Sequence, residues 1–332
     1  MYSISRIAIL YRVTQGPWGG GNSFLRSLQQ AWLALGVNVT DHLNASLEGV
    51  LVNSSYLGPG QRLLPQMAKR MVKNGYPGPV ATWLGLSRWQ ERRPVFVHRL
   101  DGVFKNYGRS ENNPADLDQI GINSYLDWTI FQSEYCRQSF AAEGLDTSRS
   151  TVVFNGVDLG VFFPAPNVSL DKPLRLVSVA WSSNVRKGFR SMVEASELPG
   201  VEVTFIGNWP QGIPAGEVKL IPPQPHGTLA KLLRQHQAML HMAQNDPCSN
   251  AILEGLASGL PVIYHPSGGS PEIVGPGGIA GFPSLDSAVE EMRDRYTDLR
   301  NTVLEKRPEI SIDRAARAYL EVFERTDQER NT

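Results

Sequence analysis

At 332 residues, of which 41% are hydrophobic and 19% charged, the chain is long enough for two ordinary globular domains and is neither disordered nor fibrous. Lys plus Arg equal Asp plus Glu at 32 each, so net charge is zero and no nucleic acid is expected as a partner. Two cysteines, Cys136 and Cys248, lie far apart with no C-x-x-C pairing, which excludes a disulfide scaffold or a structural zinc site and suits a reducing cytosol.

The N-terminal stretch to Arg12 holds only about five apolar residues in a row, too few for a signal-peptide core. No apolar run approaches the ~20 residues that span a bilayer. A cytoplasmic protein is therefore expected, with any membrane contact peripheral and at the inner face. Charge is unevenly spread. Residues 60–110 carry Arg62, Lys69, Arg70, Lys73, Arg88, Arg92, Arg93, Arg99, Lys105 and Arg109 against only Glu91 and Asp101. This is either a solvated basic face or a surface for an anionic acceptor or membrane.

In chain order, Ile7 to Leu10 reads as a buried strand, followed by the loop Gly16-Pro17-Trp18-Gly19-Gly20-Gly21. A helix is expected to start at Asn22 or Ser23, both good N-cap types, with Phe24, Leu28, Ala31, Trp32 and Leu35 on one face. Gly36 ends it and Val37 to Val39 begins another strand, completing a βαβ unit and predicting a parallel sheet. Further strands are expected at 50–52, 95–97, 129–131 and 152–154, and helices at 61–73 and 134–143. The proline-rich, aperiodic stretch from Phe163 to Pro173 reads as a linker. A second series follows: strands at 176–179, 201–206, 238–242 and 261–264, with helices at 188–196, 227–236, 250–258 and 312–325. The whole is α/β, with domains at 1–165 and 166–310 and a terminal segment at 311–332.

The chemistry concentrates between Asp246 and Ile263. A strand ends near Met242, a loop carries Asp246, and a helix starts close to Ser249, so its free N–H groups point into the loop and suit an anion. Glu254 lies about five residues into that helix, roughly 7–8 Å along its axis, between Leu253 and Leu256 on an apolar face. A carboxylate there is expensive without a partner. The two acids are offset so as to meet a sugar and a ribose on either side of a diphosphate. In the first half, His98 and Asp101 directly follow a strand, where ligands of open α/β sheets sit. Asp101 is placed to orient His98, to bind acceptor hydroxyls or to cap the next element.

This stretch resembles the acid-x7-acid signature of glycosyltransferase family 4, with Asp246 and Glu254 at the acidic positions. The following small-residue turn and strand match Ala257 to Ile263. The family's Gly-Gly-x-x-Glu-Ile-Val segment is Gly268 to Val274, its Gly-rich loop and helix are Gly19 to Leu35, its Asn-Gly-Val-Asp turn is Asn155 to Asp158, and its Lys-Gly is Lys187-Gly188. The resemblance implies a retaining, metal-independent transferase of the GT-B type, with two facing Rossmann-like domains and a cleft between them. It uses a nucleotide-sugar donor and a saccharide, lipid-linked or other hydroxyl acceptor, with no cofactor. The terminal helix would pack back on the N-terminal domain. Lys187 would neutralise the donor diphosphate, Asp246 would bind donor-sugar hydroxyls, and Glu254 would bind the ribose. The amides of Cys248, Ser249 and Asn250 would hold sugar or phosphate, Gly20 and Gly21 would line the donor, and His98 would be the active-site histidine. Two positions depart from the family. Asp246 stands where Glu is more frequent, and Trp181 replaces an arginine, leaving Arg186, with Ser183 and Asn184, as its substitute.

No metal site is expected, since His236 and His241 lack ligand spacing. Gly19-x-Gly21 with Asp41 echoes a dinucleotide fingerprint, but Phe24 occupies the third glycine position. A nicotinamide oxidoreductase, a nucleotide-sugar 2-epimerase of the same fold and a catalytically silent sugar-nucleotide binder are the alternative readings.

Overall fold

The continuous Val/Ile/Leu runs form strands buried on both faces, as parallel sheets covered by helices require. A computed structural model describes residues 3–14, 19–58, 60–75, 89, 92–108, 113–166, 170 and 173–331. Gly16, Pro17, Trp18, Arg88, Glu91 and Arg109, and part of the 163–173 segment, lie outside the described residues. Contacts divide the chain into two compact units. One comprises Met1–Thr14, Leu25–Phe154 and Ala315–Thr332; the other comprises Gln15–Phe24 and Asn155–Arg314.

The first unit is built on strands β1 (Arg6–Leu10), β2 (Asn38–Thr40), β3 (Gly49–Asn53), β6 (Val95–Leu100), β7 (Trp128–Phe131) and β8 (Ser150–Val152). They pair in parallel in the order β2-β1-β3-β6-β7-β8. Every residue of β3 and β6 is buried. Helix α1 (Gly20–Ala34) opens at Gly20, so Asn22 and Ser23 lie inside its first turn and are not the expected cap. Its Trp32 is fully buried, meets Tyr319 and Phe323 edge-on and donates from Nε1 to the Ala316 carbonyl at 3.0 Å. The segment expected to be helical from 61 opens instead as a hairpin of β4 (Tyr56–Gly58) and β5 (Gln61–Arg62), with α2 (Pro65–Asn74) starting at a proline. Helix α3 (Pro114–Asn123), capped by Asn113, was not foreseen; α4 (Glu134–Ala142), capped by Ser133, falls where expected.

In the second unit β9 (Leu174–Ala180), β10 (Val201–Gly207), β11 (Lys219–Ile221), β12 (Ala238–His241), β13 (Val262–Tyr264) and β14 (Gly278–Ala280) also pair in parallel. Their order is β11-β10-β9-β12-β13-β14, the dinucleotide-fold sequence of crossovers, with the reversal between β9 and β12. Helices α5 (Phe189–Ser196), α6 (His226–Leu233), α7 (Asn250–Ala257), α8 (Ser270–Val274), α9 (Leu285–Asp294) and α10 (Tyr296–Lys306) complete it, and α11 (Ile312–Asn331) ends the chain. The core on one face of this sheet joins Leu176, Phe189, Met192, Phe205, Leu240 and Met292.

Candidate functional site

The reversal between β9 and β12 leaves a crevice at their carboxyl ends, and both connecting loops carry polar groups. After β9, Asn184 caps a short 3-10 turn (Val185–Lys187), its Oδ1 accepting from the Arg186 amide at 3.0 Å. Gly188 then takes φ 80°, and a Cβ there would also strike the Met242 backbone, so the position calls for glycine on both counts. That close approach brings Lys187 over the loop after β12, where its Nζ donates to Asp246 Oδ2 at 2.8 Å. Asp246 Oδ1 accepts from the Cys248 amide at 3.3 Å. The Gly268-Gly269 pair wraps the same residue. The Gly269 amide donates to the Asp246 carbonyl at 2.8 Å, and Gly268, at φ 72°, has no room for a Cβ against that carbonyl. Burial pushes the Asp246 carboxyl up. Lys187, His241 and the bonds from Lys187 and Cys248 together outweigh this and hold it below the usual range.

Helix α7 has Ser249 at its N-cap with no side-chain capping bond, so the N–H groups of its first turn remain directed at the loop. Asn250 Nδ2 donates to the Gly20 carbonyl at 2.8 Å, and its Oδ1 accepts from Asn155 Nδ2 at 2.9 Å. The Gly20-Gly21 turn is thereby gathered beside Asn250. One turn deeper, Glu254 is 8% exposed, and burial alone pushes its carboxyl up to about 8. His226 Nε2 lies 3.9 Å from Glu254 Oε1, with the Phe162 ring edge-on behind it. At that distance the imidazole does not offset the burial. Trp181 is 41% exposed at the end of β9.

In the first unit the structure sets His98 and Asp101 apart in character. His98 has no exposed surface; Nε2 donates to the Ser54 carbonyl at 2.9 Å and Nδ1 accepts from Asn123 Nδ2 at 3.1 Å. Burial pushes this imidazole down to about 4, so it is neutral and both nitrogens are engaged. In this arrangement it offers no atom to a substrate. Asp101, by contrast, keeps a partly exposed carboxylate at the carboxyl edge of the sheet. Oδ1 accepts from Arg99, itself fully buried, and from Gln132 at 3.1 Å, while Asn53 donates to Oδ2 at 3.4 Å.

Of the ten basic residues at 60–110, four among the described residues pair with acids from elsewhere in the chain. Arg62 pairs with Asp118, Arg92 with Asp327, Arg93 with Asp127, and Lys105 with Glu143, while Arg99 takes Asp101. Lys69, Arg70 and Lys73 remain exposed on α2, with Lys69 over the Tyr125 ring at 5.9 Å. Leu64 and Met67 are exposed beside them. Among the described residues no cluster of three or more His, Cys, Asp or Glu is arranged to hold a metal. No described helix is long and apolar enough to cross a membrane.

Two parallel Rossmann-like sheets with these crossovers are the GT-B glycosyltransferase fold, and solved structures of that fold superpose on nearly the whole chain. Sucrose-phosphate synthase from Thermosynechococcus elongatus aligns with a TM-score of 0.63 at 16% identity, over 98% of each chain. Anabaena HepE, solved in complex with UDP-glucose, gives 0.62 at 13% identity, over 98% of this chain and 99% of its own. WaaG, a glycosyltransferase involved in lipopolysaccharide biosynthesis, gives 0.61 at 12%. In sequence, residues 214–306 match the family described as glycosyl transferases group 1. D-inositol 3-phosphate glycosyltransferase of Mycobacterium tuberculosis is 27% identical over 221 residues, covering 58% of this chain and 46% of the relative. The chain thus spans about half the length of the curated relatives it matches.

Sequence reasoning missed His226, Asn155 and His241 as members of this site. His241 closes the strand before the Asp246 loop, and that position was its only local signal. His226 reaches the site from a distant segment that carries no motif of its own, and Asn155 comes from the Asn-Gly-Val-Asp turn, whose tie to Asn250 only the fold reveals.

Proposed function

We propose that the protein transfers a glycosyl group from a nucleoside diphosphate sugar to an acceptor hydroxyl. The transfer retains anomeric configuration and uses no metal ion, in the manner of glycosyltransferase family 4. The Lys187–Asp246 pair, set beside the open first turn of α7 where the second sheet reverses, carries this reading. Charge grows on the leaving phosphate as the glycosidic bond breaks, and a cation with preorganised N–H groups stabilises it directly. Lys187, with Arg186 and Asn184, holds the diphosphate. Asp246 takes the sugar hydroxyls, the amides of Ser249 and Asn250 take sugar or phosphate while that of Cys248, expected to join them, is held by Asp246, and Glu254 takes the ribose. Gly20 and Gly21 approach the donor beside Asn250. Asp101 receives the acceptor hydroxyl, and His98 holds the strand end that presents it.

UDP-glucose is the first donor to test, because HepE was solved with it. The decisive experiment incubates the protein with UDP-, GDP-, ADP- and dTDP-sugars and an acceptor panel, then follows free nucleotide and product anomer by NMR. Transfer with retained configuration supports the reading; an epimerised nucleotide sugar, a reduced nicotinamide or simple binding without turnover each replaces it. The exposed Lys69, Arg70 and Lys73 of α2, flanked by Leu64 and Met67, support peripheral contact with an anionic membrane as part of this function.

A further inference from the structure

Strand β12 alternates its side chains between two faces. Ala238, Leu240 and Met242 enter the core on one of them. Met239 and His241 therefore face the other, the side of α7, where a Cβ on Gly255 would lie only 2.8 Å from Met239 Cε. Two residues along the strand advance about 6.6 Å, matched by four to five residues back along the helix at ~1.5 Å each. His241 consequently lies beneath the first turn of α7, behind the Asp246 loop. It is 4% exposed, and its Nε2 has no hydrogen-bond partner among the described residues. Such an atom in a buried position calls for an explanation.

We propose that His241 takes over the Asp246 carboxylate when Lys187 turns to the donor's diphosphate, so that donor binding proceeds with uptake of one proton on the His241 imidazole. This rests on the donor reading of the same site. Lys187 holds Asp246 at 2.8 Å, and an ammonium whose single charge is shared with a diphosphate neutralises that carboxylate less completely. A buried carboxylate deprived of its cation is strongly destabilising. The two charges acting on His241 are opposed: Asp246 favours its protonation and Lys187 disfavours it, while burial, the largest influence, keeps it neutral at about 4. Withdrawing Lys187 toward the diphosphate removes the opposing charge and leaves Asp246 without its ammonium. The other titratable groups on the neighbouring elements are Glu254 of α7, kept neutral by burial, and Tyr264 and His265 at the end of β13.

The test is calorimetric titration of UDP, GDP, ADP and dTDP at pH 6.5 and 7.5, in buffers of different ionisation heat, into wild type, His241→Asn and His241→Gln. Either amide can bond Asp246 but cannot carry the proton. With the tightest-binding nucleotide, wild type is expected to take up about 0.5–1 proton more than the variants. Comparing wild type with variant cancels any proton released by Glu254. Equal proton numbers in wild type and a folded variant that binds overturn the inference and leave the donor site standing. A wild type that binds none of the four overturns the donor reading, and this inference with it.

Discussion

Replacing Glu254 by Gln separates the two roles that the structure gives this carboxyl. In the folded protein burial raises it from 4.5 to about 8, so across that window the unfolded chain has released a proton that the folded chain keeps. Stability therefore falls as pH rises from 4.5 through about 8, then levels off. The span of about 3.5 units, at ~1.4 kcal/mol per unit, sets a ceiling near 5 kcal/mol, and local relaxation and water entry bring the expected effect to about 1–3 kcal/mol. Glutamine does not titrate. Glu254→Gln should match wild type near pH 5 in urea denaturation and become the more stable protein by pH 8–9. Nucleotide affinity should move the other way, because an ionised carboxylate accepts ribose hydroxyls in charge-assisted bonds of about 1.5–3 kcal/mol. The variant should then bind roughly 10- to 100-fold more weakly at pH 8 by calorimetry. A stability difference independent of pH would refute the buried neutral acid, and unchanged affinity for every nucleoside diphosphate would refute the ribose contact.

Lys187→Met should abolish most turnover and also destabilise the protein by up to about 3–5 kcal/mol, less as pH falls and a protonated His241 takes over Asp246. Adding Asp246→Asn should restore the melting temperature without restoring turnover; recovery of turnover would exclude Lys187 from the chemistry. Arg307 donates to the carbonyls of Ala257, Leu159 and Phe162, so Arg307→Ala should cost about 2–3 kcal/mol in chemical denaturation, and a loss under 0.5 kcal/mol would mean that solvent replaces those bonds. Reversing Lys69, Arg70 and Lys73 to Glu should eliminate co-sedimentation with anionic vesicles at low salt while sparing donor hydrolysis; failure of wild type to sediment would make α2 an ordinary solvated face.

The strands were the most legible part of the chain, because strands covered on both faces are dominated by apolar residues, as at 50–52 and 95–97. The Asp246-to-Glu254 spacing was equally legible, since eight residues from a loop into a helix fix an axial offset whatever surrounds them. The short elements were not. The hairpin at 56–62, the three-residue strands at 219–221 and 278–280 and the helix at 114–123 carry too little periodicity to be read from neighbouring residues alone. The pairing of charges was not legible for a related reason. The basic run at 60–110 finds Asp118, Asp127, Glu143 and Asp327 only once the chain has folded.

Sequence alone determined the α/β class, the two series of βα units and the acid pair, because those depend on local periodicity and on residue types at fixed separations. Tertiary structure decided what each polar group is worth. His98 was expected just past a strand, but it lies within β6, both its nitrogens are engaged from the β3–β4 turn and α3, and burial keeps it neutral. His241, which had no motif to mark it, ends behind Asp246 with a nitrogen that has no partner among the described residues. Whether a titratable side chain is a buried strut or a working group depends on desolvation and on partners brought from distant segments, and only folding supplies both.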